Sequence, residues 1–126
     1  MNSEDTKIKA GTWEALLEDV KVRLDRLISH MKESGTQCER VSNLMTLVRH
    51  VKEKHPKLPL PCIELLSNVD YAMATWTIGR RKKLRVNVGS VVFIKLVDAR
   101  QRTTFSSWAG EDTNSAKAFI DKCLAT

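Results

Sequence analysis

The residues of this 126-residue chain best suited to bond-making chemistry are three histidines, His30, His50 and His55, and three cysteines, Cys38, Cys62 and Cys123. Catalysis or metal binding needs such groups to converge, and their spacing argues against it. His50 and His55 are five residues apart, which on a helix of 3.6 residues per turn turns them about 140° from one another, onto different faces. A zinc site built on His55 and Cys62 needs two further ligands that the sequence does not offer. Cys38 follows a helix-capping position, where the helix dipole lowers a thiol pKa, but no histidine at a suggestive spacing backs it and it falls near an apolar stripe. An odd number of widely spaced cysteines fits reduced thiols acting as small core hydrophobes in a cytoplasmic protein, not a disulfide framework. Among the carboxylates, Glu14, Glu18 and Asp25 lie beside Lys21 on the polar side of a helix, where solvated i,i+4 pairing accounts for them. Glu111 and Asp112 precede a helix whose dipole they complement. Neither a dinucleotide-binding GxGxxG nor a phosphate-binding GxxxxGK[ST] occurs. The reading is therefore non-enzymatic: no catalytic residue, no metal and no cofactor.

Cationic chemistry is another matter. The formal net charge is +6, and between Gly79 and Arg102 eight cations face Asp98 alone. They are Arg80, Arg81, Lys82, Lys83, Arg85, Lys95, Arg100 and Arg102, so this one segment accounts for the basicity of the chain. Such a local field attracts polyanions and acidic surfaces and speeds encounter with them. "GRRKK" reads as a five-residue hairpin tip opened by Gly79. Its cations either keep the tip soluble and discourage edge pairing, dock on an acidic partner, or neutralise phosphates with steep salt dependence. Trp76, Phe93, Phe105 and Trp108 are candidate stacking platforms for the last case, although Trp76 shares the apolar alternation of Ala72, Ala74 and Ile78 and reads as core.

The elements that must position these groups follow from periodicity. Thr12 is an N-cap, and Trp13, Leu17, Val20, Leu24, Leu27 and Met31 form a seam that Leu16 and Ile28 widen. Gly35 ends this helix, and "TQCE" from Thr36 to Glu39 is a capping box for the next. The second helix carries Val41, Leu44, Val48 and Val51 in step, with Met45 and Leu47 alongside, and stops near His55 because of Pro56. A heptad-like seam can also recruit a second chain, so a homodimer through it is a further expectation. "HPKLPLP" is a stiff, extended joint without ladder hydrogen bonds. Beyond it, period-two alternation predicts strands at 62–66, 71–78, "LRVNV", "VVFIKLV" and 103–108, with Gly89 and Ser90 a two-residue hairpin turn. Ala116, Phe119, Ile120, Cys123 and Leu124 mark a last amphipathic helix.

The expected architecture is α+β in one domain. A loose arm (1–11) leads into an N-terminal antiparallel helical hairpin (12–55). A Pro-rich joint (56–61), an antiparallel β-meander of four to five strands (62–108) and a C-terminal helix packed on the sheet (113–125) follow. No apolar run is long enough to span a bilayer, and the polar N-terminus lacks the regions of a signal peptide. The double-stranded-RNA-binding module, α-β-β-β-α, is excluded by the strand count and by Lys117 standing alone at the start of the last helix. In style, the helical hairpin, "LPLP" joint, Trp-bearing meander and closing helix resemble small orphan α+β proteins of bacteriophages and mobile elements, including anti-CRISPR and other anti-defence inhibitors. The resemblance covers most of the chain as architecture and carries no motif, so it transfers no site residue. It implies steric docking on a host complex. The functional expectation is a non-catalytic interaction protein that docks, through its basic hairpin, on an acidic protein or nucleoprotein. The alternative is direct nucleic-acid binding by phosphate contacts.

Overall fold

The computed structural model describes residues 7–8, 11–30, 35–65 and 72–125, with the side chains of 11–26, 39–65 and 72–125. The Thr12 hydroxyl accepts from the backbone N–H of Ala15 at 3.1 Å, the predicted cap, and opens α1 (Trp13–His30). Among the described side chains of α1, Leu16 and Val20 are buried, while Trp13, Leu17 and Leu24 pack on the core only in part. The buried line thus runs through the residue expected merely to widen the seam. The side chains of Leu27, Ile28 and His30, and the whole of Met31, lie outside the described residues.

Gly35 was expected to end the first helix, but it is the first residue of α2 (Gly35–Lys54). Thr36 is therefore already inside the first turn and not at its cap; the side chains of Thr36 and Cys38 are outside the described set. Val41, Leu44, Met45, Leu47, Val48 and Val51 are buried. The Lys52 ammonium sits over the Trp13 ring at 5.0 Å, so the end of α2 meets the start of α1 and the two run antiparallel. Because Leu16, Val20, Leu44, Val48 and Val51 are buried within the chain, that part of the seam has no surface left for a second copy.

α2 closes at Lys54, before Pro56, with the His55 N–H donating to the Val51 carbonyl at 2.8 Å. The joint is not extended throughout. Leu58 N–H donates back to the His55 carbonyl at 3.1 Å, because Pro56 presets the φ that the second position of a tight turn requires.

Five predicted strands form, plus one unpredicted: β1 (Lys7–Ile8), β2 (Cys62–Leu65), β3 (Ala72–Ile78), β4 (Lys82–Val88), β5 (Val92–Asp98) and β6 (Thr104–Gly110). They pair antiparallel in chain order. In β1, Lys7 and Ile8 lie opposite Glu64 and Ile63, so the expected arm contributes a short edge strand. Two residues carry no periodicity, and pairing them caps the otherwise open edge of β2. Residues 66 and 71, expected in strands, lie outside the described residues.

Two turns differ from expectation. The β3–β4 turn is Gly79–Arg81, with Gly79 at φ 63°, so Lys82 and Lys83 already belong to β4. The β4–β5 connection spans Gly89–Val91, closed by Gly89 N–H donating to the Val91 carbonyl at 3.0 Å. Gly89 is not left-handed there, so this is not the two-residue primed turn.

α3 (Thr113–Leu124) is capped by Asp112, whose carboxylate accepts from Asn114 N–H at 3.1 Å and Ser115 N–H at 3.3 Å. α3 buries Ala116 and Ile120 on the sheet face that also carries Ile63, Ala74, Trp76, Leu84, Val86 and Ile94. That face, roofed by α2 and α3 and flanked by α1, holds the core. No described helix is long and apolar enough to cross a membrane.

Leu84 is fully buried at the middle of this layer and Val22 is 41% exposed. Leu84→Ala should lower the unfolding free energy by about 2–5 kcal/mol, and Val22→Ala should change it by no more than about 0.5 kcal/mol. Urea titrations of both variants check the burial assignment.

Candidate polyanion interface

Alternation along β4 sends Leu84, Val86 and Val88 into the core and leaves Lys83, Arg85 and Asn87 on the opposite face. Along β5 the same rule places Phe93 and Lys95 there. The register then aligns them. Arg85 lies opposite Lys95 and beside Thr75, Lys95 lies opposite Ser107, and Asn87 stands between Met73 and Phe93. The Lys95 ammonium rests over the Phe93 ring at 5.0 Å.

A second group of cations occupies one end of the sheet. Arg80 and Arg81 sit in the β3–β4 turn, and Arg100 and Arg102 in the β5–β6 connection; all four are exposed. The Ala99 N–H donates to the Arg81 carbonyl at 2.7 Å, which fastens the two turns side by side. Asp98, the single acid of this segment, does not neutralise them. Its Oδ1 accepts from the backbone N–H groups of Arg102 at 2.7 Å and Thr103 at 3.0 Å, shaping the connection in which Gln101 takes φ 59°.

The eight predicted residues therefore do not form one patch. Arg80, Arg81, Arg100 and Arg102 make the end cluster, and Lys83, Arg85 and Lys95 make the face cluster. Lys82 turns to the helix side, over the Phe105 ring at 5.5 Å. There it lines a cleft of about 460 Å³ together with Lys54, His55, Lys57 and Cys123. Among the described residues, none of the eight forms an ion pair with a carboxylate.

The four aromatic candidates separate as well. Trp76 is 2% exposed in the core, and Trp108 packs on Phe119 of α3 with ring centroids 6.5 Å apart. Phe105 is 52% exposed beside Lys82. Phe93 alone of the four combines the face opposite the core with a cationic neighbour on that face. Asn87 was not singled out as a site residue; its outward position was legible, but its setting depends on which strands flank it. Arg85 Nε and Asn87 Oδ1 are both shut off from solvent without a hydrogen-bond partner, each an unfavourable state of roughly 1–3 kcal/mol.

The histidine expectation is overturned. His50 and His55 each place Nε2 at 2.9 Å from the same oxygen, Oδ1 of Asp121 in α3. His55 N–H keeps the helical bond to the Val51 carbonyl at 2.8 Å, and the two rings nevertheless converge because the shared acceptor comes from α3 and not from α2. A carboxylate only accepts, so both imidazoles donate from Nε2. Among the described residues no group of three or more His, Cys, Asp or Glu is placed to hold a metal ion. Cys62 and Cys123 are half-buried instead of fully in the core. Burial pushes the Cys123 thiol up, against the opposing charge of Lys122, the reverse of what a thiolate nucleophile requires.

Partial burial raises the Asp121 carboxyl, but the hydrogen bonds from His55 and His50, with their charge, outweigh it and leave the group below the usual carboxylate range. A depressed folded-state value contributes stability that is complete above the ordinary range and is lost as pH falls through the folded value. Asp121→Asn should therefore lower the urea midpoint near neutral pH. The gap from the unaltered protein should close as the solution is acidified below the carboxylate range. A gap that stays constant down to acid pH contradicts the charged link.

No protein-family model, curated protein or solved structure matches the chain.

Proposed function

We propose that this chain is a non-catalytic interaction protein that docks through its basic sheet on a polyanionic partner, an acidic protein or nucleoprotein complex. The observation that carries the reading is the pair of basic turns joined by the Ala99–Arg81 hydrogen bond, with their arginines exposed and their one local acid occupied by backbone N–H groups. Cations held on a rigid sheet end and left unneutralised attract a complementary surface at long range, and their effect weakens with salt. A phage-type inhibitor of a host defence complex is the biological role that fits this mode of action, since steric docking needs no reactive group.

Direct nucleic-acid binding is the second reading. It is favoured by Phe93 and Lys95 lying together on the face opposite the core, where a stacking surface adjoins a phosphate-binding charge.

The end cluster is tested with Arg80, Arg81, Arg100 and Arg102 all changed to Ala. Fluorescence anisotropy with labelled polyglutamate and labelled nucleic acid should show binding at about 50 mM salt that weakens by at least tenfold at about 200 mM. The quadruple variant should lose most of it while keeping its thermal transition. Undiminished binding by that variant would remove the end cluster from the interface.

A further inference from the structure

A sheet face turned to water is most stable when cross-strand neighbours are β-branched, aromatic or opposite in charge. The second face of this sheet departs from that at its centre. Arg85 lies directly opposite Lys95, a like-charge pair that opposes strand pairing. In the same place Arg85 Nε and Asn87 Oδ1 are closed off from solvent without partners. Unpaired buried polar groups in a folded protein call for an explanation, and two beside a like-charge pair mark a surface shaped for something other than stability.

The ligand that satisfies this surface must do three things at once. Arg85 Nε is a donor and requires an acceptor; Asn87 Oδ1 is an acceptor and requires a donor; Phe93, directly across from Asn87, offers a ring face. Carboxylate groups supply acceptors but neither of the other two. A nucleotide supplies all three: phosphate oxygens, base N–H groups and a flat aromatic ring. In a duplex the base faces are stacked on one another, so stacking on a protein ring requires a single strand.

Resting on the polyanion-binding reading above, we propose that the face of the sheet opposite the core binds single-stranded nucleic acid. Phe93 stacks a base and Lys95 and Lys83 hold the adjoining phosphates, while the Arg85 and Asn87 side chains, whose Nε and Oδ1 are closed off in the unbound protein, turn outward to meet phosphate and base edge. The spacing suits this. Arg85 and Lys95 are about 5 Å apart across the strands, and Lys83 is about 7 Å from Arg85 along β4. In the unbound protein the Lys95 ammonium covers the Phe93 ring at 5.0 Å; a base takes that place and the ammonium moves to a phosphate. Among the described residues Glu64 of β2, opposite Met73 of β3, is an acid of the same face, two strands from β4.

The test is anisotropy with labelled single-stranded RNA and DNA of mixed sequence, about a dozen nucleotides long, against the matching duplex and labelled polyglutamate. Phe93→Leu keeps the bulk and loses the ring; it should weaken single-strand binding by about tenfold and leave polyglutamate binding unchanged. Phe93→Tyr should restore the affinity, and single strands should bind more tightly than the duplex. Comparison of the RNA and DNA arms tells which sugar the face prefers. If Phe93→Leu binds single strands as well as the unaltered protein, or if polyglutamate displaces them as effectively as unlabelled strand does, the nucleic-acid inference falls while polyanion docking stands. If neither polyglutamate nor any nucleic acid binds at about 50 mM salt, both fall together. Unchanged circular-dichroism melting of each variant separates loss of binding from loss of fold.

Discussion

The docking of α2 and α3 on one side of the sheet gathers Trp76, Leu84, Val86, Ile94, Ala116 and Ile120 into a single buried layer, and the remaining features depend on it. Side chains of a strand alternate between faces, so a buried residue at one position obliges its neighbours to face away. Leu84 and Val86 in the core mean that Lys83, Arg85 and Asn87 are on the other face, and Ile94 in the core does the same for Phe93 and Lys95. The charged face is the mirror of the apolar one. A slip of one residue in β4 would bury three polar side chains and expose the hydrophobic ones, and this penalty holds the cations in register more firmly than any contact they make themselves.

The ends of the sheet obey a different constraint. Turns are exposed and must satisfy their own backbone groups locally. Asp98 serves that purpose by accepting from Arg102 and Thr103 N–H groups, and the Ala99–Arg81 bond ties its turn to the neighbouring one. The result is that an acid in the middle of a basic segment organises backbone and leaves the surrounding guanidinium groups free of it. On the helix side, Asp121 plays a comparable organising part. By accepting from both His50 and His55 it fastens α3 to the end of α2, at the point where Pro56 turns the chain toward the sheet. His50 and His55 therefore serve the packing of the helical layer.

Much of the fold was legible because it rests on local rules. Period-two runs marked β2 to β6, Thr12 announced the start of α1, and Pro56 announced the end of α2. What escaped was either too short to have a period or dependent on a distant partner. Lys7 and Ile8 form a strand only because β2 has an edge to offer them. His50 and His55 both meet Asp121 although it lies 71 and 66 residues away. The turn at Gly79 was recognised, but not that it holds three residues, and that difference moved Lys82 and Lys83 from a flexible tip into β4, on opposite faces.

The sequence by itself determined the class of fold, the concentration of positive charge between Gly79 and Arg102, and which strand residues point inward, since each of these follows from composition or short-range periodicity. Tertiary structure alone decided how that charge is divided among an end, a face and a cleft. It also decided that Arg85 confronts Lys95, that Asn87 adjoins Phe93, and that two histidines share one carboxylate. The reason is physical: alternation is a property of a single strand, whereas neighbours across a sheet are set by turn length and register, which join residues that local preferences cannot relate.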